Sequence, residues 1–187
     1  MKTFHKQNYF YVIMNSGDNM NIELKSILLT RYSEDKHKTL KDELETGKSH
    51  SNFIHQIGER LEDSKDNNKS IYQSAFVVED LGIPIGYLYI SRMVHDEVFL
   101  EYAVLDEYRG KGYGKSIIRE TSDYLFENHN IKAIRLDIDP SNKNSINVAE
   151  ACGYTVDEEE FASRNYMGRM QFVKDNEYYI SKSKGRK

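Results

Sequence analysis

The chain has one cysteine, Cys152, and two prolines, Pro84 and Pro140. A single cysteine excludes an intramolecular disulfide and fits a reducing compartment. Both prolines sit beside strand-like runs, and no internal repeat or low-complexity stretch is present. No apolar run approaches the roughly 18 residues of a membrane span, so no membrane partner is expected. Lys2, His5 and Lys6 are followed only by the short apolar stretch Tyr9–Met14. That is too short for the apolar region of a secretory leader, so the expected location is the cytoplasm. There is no basic excess: 26 Lys+Arg stand against 30 Asp+Glu, a net charge of −4. A nucleic-acid partner is not expected on that balance. The basic end, Lys182–Lys187, reads as a solvated, flexible tail.

What is present is ordinary for a globular chain. Its 187 residues are 39% hydrophobic, 12% aromatic and 30% charged. That length suits one domain with its own continuous core. The division read from the sequence is an extension over 1–19, a domain over 20–180 and a tail over 181–187. Tyr9–Met14 and Ile22–Tyr32 read as extended. Ser33 is placed to cap a helix that stops near Gly47, and a second helix starts near Ser51 with Phe53, Ile54, Ile57 and Leu61 on one face. Strands follow over 71–79, 85–94 and 98–105, then a helix over 111–128, a strand over 131–138 and a short helix over 142–152. Residues 154–161 and 165–179 close the chain as extended segments. The order β–α–α–β–β–β–α–β–α–β–β gives an α+β (α/β) class with one mixed, mostly antiparallel sheet flanked by helices.

The most informative stretch is VFLEYAVLDEYRGKGYGKSIIRETSDYLF, from Val98 to Phe126. An apolar strand runs into a turn with glycines at 110, 112 and 114, and the turn opens a helix. The first amides of a helix lack intrahelical partners and sit at the positive end of its dipole, so such a turn suits a pyrophosphate. Spacing then decides between ligands. A Walker A loop would need glycine at 109, where Arg109 stands. A G-x-G-x-x-G fingerprint would end on Lys115 or Ile117. The pattern that fits is Arg109-x-x-Gly112-x-Gly114, preceded by Val104-Leu105-Asp106-Glu107-Tyr108. It resembles the acyl-CoA loop of the Gcn5-related N-acetyltransferase (GNAT) superfamily. Asp106 departs from that pattern, where proline is frequent. Without the resemblance, the glycines would simply make a strand-to-helix turn.

A second run follows, Asp139-Pro140-Ser141-Asn142, then Ser145, Val148-Ala149-Glu150 and Gly153-Tyr154. It resembles the second cofactor element of the same family. Read alone, Asn142 is a helix N-cap and Gly153 a C-cap. The likeness covers about 72–155; residues 1–70 match in element order only. Ala149 occupies the position where many members carry a tyrosine acid. The chain is similar there to the subgroup that acetylates ribosomal-protein N-termini, which also reads V-A-E.

The resemblance implies a GNAT-like acyl-CoA fold, with a sheet of about seven strands that splays between the strands at 98–105 and 132–139. It implies acetyl-CoA as cosubstrate, held by Arg109, Gly110, Lys111, Gly112, Tyr113, Gly114 and Lys115, by the backbone of Ala103 and Val104, and by Asn142. It further implies direct attack of a primary amine, of a small molecule or a protein, on the thioester. A general base of raised pKa assists that attack. Glu101 and Glu97 are the candidates; they share a face of a regular strand, and Glu101 lies deeper in the apolar run. Either carboxylate is equally well explained by pairing with a Lys or Arg. Ser145 or water is left to protonate the thiolate. Homodimers are common in the family, and no interface is visible in the sequence.

The remaining reactive residues give less. Cys152, at an apolar helix end, reads as structural. The histidines at 5, 37, 50, 55, 95 and 129 have no metal spacing, so no metal is expected. The acidic run Asp157–Glu160 fits either a cationic acceptor or a solvated turn. The competing readings are a non-catalytic acyl-CoA-sensing module on the same fold and, more distantly, a nucleotide-binding protein.

Overall fold

A computed structural model describes residues 12–14, 20–46, 54–66, 70–92, 96–158 and 169–176. Strands β1 (Val12–Met14), β2 (Met20–Glu23) and β3 (Leu28–Thr30) lead into helices α1 (Glu34–Thr46) and α2 (Ile54–Asp63). Then come β4 (Ser74–Asp80), β5 (Ile83–Arg92) and β6 (Glu97–Val104), a 3-10 turn over Asp106–Tyr108, and α3 (Tyr113–Asn128). The chain continues through β7 (Ala133–Ile138), α4 (Lys143–Ala151), β8 (Thr155–Val156) and β9 (Met170–Asp175). No helix among the described residues is long and apolar enough to cross a membrane.

All the described strands join one sheet in the order β1-β2-β3-β4-β5-β6-β7-β9-β8. Every neighbouring pair is antiparallel except β6–β7. The α+β class with a mostly antiparallel sheet is therefore the observed one. Among the described residues the sheet has nine strands, where about seven were expected. The main difference lies in 22–32, which is a hairpin and not one extended run. The Leu24 N–H donates to the Ile27 carbonyl at 2.9 Å, and Ile22 pairs with Leu29. Val12–Met14, in the stretch read as an extension, pairs with β2. Gly47, Ser51, Phe53 and the residues of 159–168 and 177–187 lie outside the described residues.

Strand alternation divides the core between the two faces of the sheet. Val98, Leu100 and Val104 of β6 pack with Ile117, Ile118, Tyr124 and Leu125 of α3. Ala103 and the following Leu105 pack with Leu40 and Leu44 of α1 and Ile57 and Leu61 of α2. Glu101 is thus carried on the α1/α2 face and Tyr102 on the α3/α4 face.

A buried polar cluster ties α1 to the sheet. The His37 side chain is 2% exposed. Its Nδ1 accepts from the Ser33 N–H at 3.0 Å, so its Nε2 donates to Glu79 Oε1 at 2.9 Å. Thr30 Oγ1 donates to the same oxygen at 2.9 Å. The bond from His37, helped by that from Thr30, holds the Glu79 carboxyl below the usual glutamate range. A depressed carboxyl stabilises the fold above its unfolded pKa, about 4.3, and loses that contribution as pH falls through the lower folded value. Glu79→Gln replaces a charge-assisted bond by a neutral one, a loss of about 1 kcal/mol at pH 7. Urea titrations from pH 7 to pH 3 should show the difference between wild type and variant shrinking below about pH 4. A difference that stays constant over that range would refute the role given to Glu79.

Candidate active site

The glycine turn is built by backbone conformation and pinned by side chains. Gly110 and Gly112 have φ of +75° and +94°, where L side chains are strained. Gly112 is the N-cap of α3, and its carbonyl accepts from the N–H groups of Lys115 and Ser116. Arg109 Nε donates to the Val104 carbonyl at 3.1 Å, and its Nη1 lies 2.9 Å from Asp106 Oδ1. Asp106, standing where proline is frequent in the resembled pattern, thus fixes the turn through an ion pair instead of a ring. The Lys111 ammonium lies over the Tyr108 ring at 5.1 Å. The Tyr113 hydroxyl donates to Asp80 Oδ2 at 2.5 Å, tying the start of α3 to the end of β4. Lys111 and Lys115 are exposed beside the opening.

Next to this turn the sheet comes apart. β6 and β7 pair only through Glu97↔Ala133, Val98↔Ile134 and Phe99↔Arg135. Leu100–Val104 has no partner on β7, and Leu136–Ile138 pairs only with β9. The backbone parity in the gap follows from the flanking bonds. The Leu105 N–H donates to Ile85 across β5, and the Asp96 carbonyl accepts from Lys132 across to β7. Antiparallel alternation then turns the backbone groups of Ala103 toward Tyr87 on β5 and those of Val104 toward the gap. The bond from Arg109 to the Val104 carbonyl agrees with that parity.

Glu97 and Glu101 lie on one face of β6, and each is paired with an arginine. Arg60 of α2 donates from Nη1 to Glu101 Oε2 at 2.8 Å and reaches the Tyr87 hydroxyl at 3.4 Å. Its Nη2 donates to Gln56, and its guanidinium lies 4.1 Å from the centroid of the Tyr89 ring. Burial opposes the Arg60 charge, but the bonds to Tyr87 and Glu101 outweigh it and raise the guanidinium above its ordinary value. Among the described residues, Glu101 Oε1 is buried with no hydrogen-bond partner. Glu97 Oε2 accepts from Arg135 Nε at 2.6 Å, and Arg135 Nη1 donates to Asp157 at 2.6 Å. Asp157 of the acidic run is therefore already engaged. Glu97 sits where β6 and β7 are still paired; Glu101 sits beside the gap.

α4 faces the gap from the other side. Asn142 Oδ1 accepts from the Ser145 N–H at 3.1 Å, so the asparagine does cap the helix. Gly153 follows with φ of +84°. Ala149 is fully buried. Cys152 is buried, its Sγ reaches the Lys115 carbonyl, and burial pushes the thiol up. Tyr102 and Arg60 were not singled out from the sequence. Tyr102 packs beneath the start of α3, where a Cβ at Gly114 would stand 3.3 Å from its ring, and Val148 of α4 borders the same space. Strand parity was the available signal for Tyr102. Nothing local signals Arg60, which lies 41 residues from Glu101.

The comparisons with known proteins agree with this geometry. The sequence model of the Acetyltransferase (GNAT) family matches residues 33–154. A spermidine N(1)-acetyltransferase from Vibrio cholerae serotype O1 is 31% identical over 124 residues, covering 63% of this chain and 70% of that protein. Among solved structures, a GNAT-family acetyltransferase from Bacillus anthracis superposes with TM-score 0.67 at 13% identity, over 84% of this chain and 99% of that one. The ribosomal-protein-S5-alanine acetyltransferase from Vibrio fischeri gives 0.62 at 18% identity, over 83% and 96%. Relatives with small-molecule and ribosomal-protein names thus occur side by side, and the ribosomal subgroup is not singled out. The chain belongs to the GNAT acetyltransferase family.

Proposed function

We propose that this protein transfers the acetyl group of acetyl-CoA to a primary amine, by direct attack in a ternary complex. The observation that carries the reading is the gap that opens between β6 and β7 directly beside the Gly110–Gly112 turn. The free amides at the start of α3, with Lys111 and Lys115 at the rim, receive the pyrophosphate. Pantetheine enters the gap and bonds the backbone of Val104, and the side-chain amide nitrogen of Asn142 is the donor at its other flank. The Val104 N–H stabilises the oxyanion as the amine attacks.

Glu101 is the base this arrangement favours. Arg60 fixes Oε2, and Oε1 remains to take the amine proton. Glu97 is held in the Arg135–Asp157 cluster, about 13 Å back along the strand at about 3.3 Å per residue. Ser145 stands on the cofactor side as a donor to the departing sulfur. Spermidine is the acceptor named for the Vibrio cholerae relative and a ribosomal-protein alanine for the Vibrio fischeri one, so amines of both kinds belong in the acceptor panel. The absence of a disulfide supports placing the reaction in the cytoplasm.

Calorimetric titration with acetyl-CoA, using ATP and NAD as controls, tests the cofactor assignment. Binding of acetyl-CoA alone is expected. Thiol release with spermidine and with a short alanine-led peptide then tests transfer. Binding of ATP in place of acetyl-CoA would overturn the reading.

A further inference from the structure

Gly86 lies buried inside β5, and its φ is outside the left-handed range. Backbone conformation therefore gives no reason for a glycine there. The reason lies in a contact. A Cβ at this position would stand 2.3 Å from the Ala103 carbonyl oxygen, 3.3 Å from the Ala103 carbonyl carbon and 3.3 Å from Val104 Cα. All three atoms belong to β6, and the first distance leaves no room for a methyl group. The register shows the same local distortion. β4 pairs Val78 with Gly86 and Glu79 with Pro84, which leaves Ile85 as the extra residue of a β-bulge. On its other side Gly86 faces Val104, and the Leu105 N–H bonds the Ile85 carbonyl at 3.0 Å.

The oxygen in this space fixes where the next N–H points. The Ala103 carbonyl and the Val104 N–H are two ends of one planar trans peptide, so they point in opposite directions. Side chains alternate along β5: Tyr87 packs with α1 and α2, Leu88 with the α3 cluster, and the absent Cβ of Gly86 belongs on the Leu88 side. The Ala103 oxygen is thus displaced from the sheet plane toward α3. The Val104 N–H, already directed into the gap, is tipped toward the opposite face, which carries Glu101.

We propose that Gly86 is a positioning residue for the transfer: by omitting a side chain it admits the tilted Ala103–Val104 peptide and so aims the Val104 N–H at the thioester oxygen. The inference rests on the acetyltransferase reading above and deepens it, placing one requirement of the reaction on the strand behind β6. As the amine adds, the carbonyl electrons move to oxygen. A donor held in place beforehand stabilises that charge without reorganising. A methyl group at position 86 forces the Ala103 oxygen back toward the sheet plane, and the rigid peptide swings the Val104 N–H with it.

Gly86→Ala tests this, with Gly82→Ala beside it. Gly82 has φ of +80°, and a Cβ there meets nothing within 4 Å, so Gly82→Ala strains the β4–β5 turn without pressing on β6. The expected result for Gly86→Ala is a kcat lower by about 100-fold with acetyl-CoA affinity within about twofold, because the donor acts on charge that appears only in the transition state. Gly82→Ala should keep the wild-type kcat. Isotope-edited infrared spectra of bound acetyl-CoA, labelled with carbon-13 at the thioester carbonyl, read the donor directly. The carbonyl band should lie at lower frequency in the wild-type complex than in free acetyl-CoA, and return toward the free position in Gly86→Ala. Loss of packing alone would not move it. A wild-type band at the free position overturns the proposal even where Gly86→Ala fails to fold. A folded Gly86→Ala with the wild-type band and kcat overturns it as well. Failure of the wild type to bind acetyl-CoA is a different result: it removes the acetyltransferase reading itself, and this inference with it.

Discussion

Gly112→Val should yield a folded protein that binds acetyl-CoA at least about 100-fold more weakly than wild type, or about 3 kcal/mol. Gly112 sits at φ +94°, and a Cβ there would meet nothing within 4 Å. The fold therefore gains no clash. It gains only the strain of a β-branched residue in the left-handed region, of order 1–3 kcal/mol. A domain with about 5–15 kcal/mol of stability survives that. The loop relieves the strain by leaving the left-handed region, which re-aims the amides that open α3, and the new methyls stand where the pyrophosphate approaches. Gly114→Val should behave differently. Its Cβ would press on Tyr102 and Val148, so that variant loses stability along with affinity. Calorimetry together with circular dichroism separates the two. Unchanged affinity in folded Gly112→Val would remove the phosphate-loop assignment.

The second large effect belongs to Glu101. Glu101→Gln should lower kcat by about 10²–10⁴-fold, the range of a lost general base, with KM for acetyl-CoA nearly unchanged. Glutamine keeps a carbonyl oxygen to accept from Arg60, so the clamp from α2 survives while basicity is lost. Steady-state thiol release with whichever amine the panel identifies reads both constants. Glu97→Gln is the comparison. It disturbs the Arg135–Asp157 cluster and should act mainly on stability. If Glu97→Gln carries the fall in kcat and Glu101→Gln does not, the base is Glu97.

The sequence made some of this legible and hid the rest for physical reasons. The phosphate turn could be read because glycine spacing reports backbone conformation directly; two of its three glycines do have positive φ. The cap of α4 was equally local, and Asn142 makes the expected bond. The 22–32 hairpin was missed because its turn, Leu24–Ile27, contains neither glycine nor proline and is closed by one backbone bond. The arginines opposite Glu97 and Glu101 arrive from β7 and α2, at separations no periodicity encodes. Tyr102, the neighbour of Glu101 on β6, belongs to the opposite face of the strand, with α3 and α4.

The short pairing between β6 and β7 also has a mechanical consequence. Three residue pairs join the body β1–β6 to the unit β7–β9 within the sheet, and the remaining contact comes mainly from α3 against α4. Bending stiffness across a sheet rises with the number of rungs, so compliance concentrates along this line. A pantetheine chain laid in the gap, on the proposed reading, adds rungs where they are missing and braces the two parts against each other. The empty site is then the softer one, and an acceptor arriving first would have to order it unaided. Mechanics alone thus favours a sequence in which the cofactor binds before the amine.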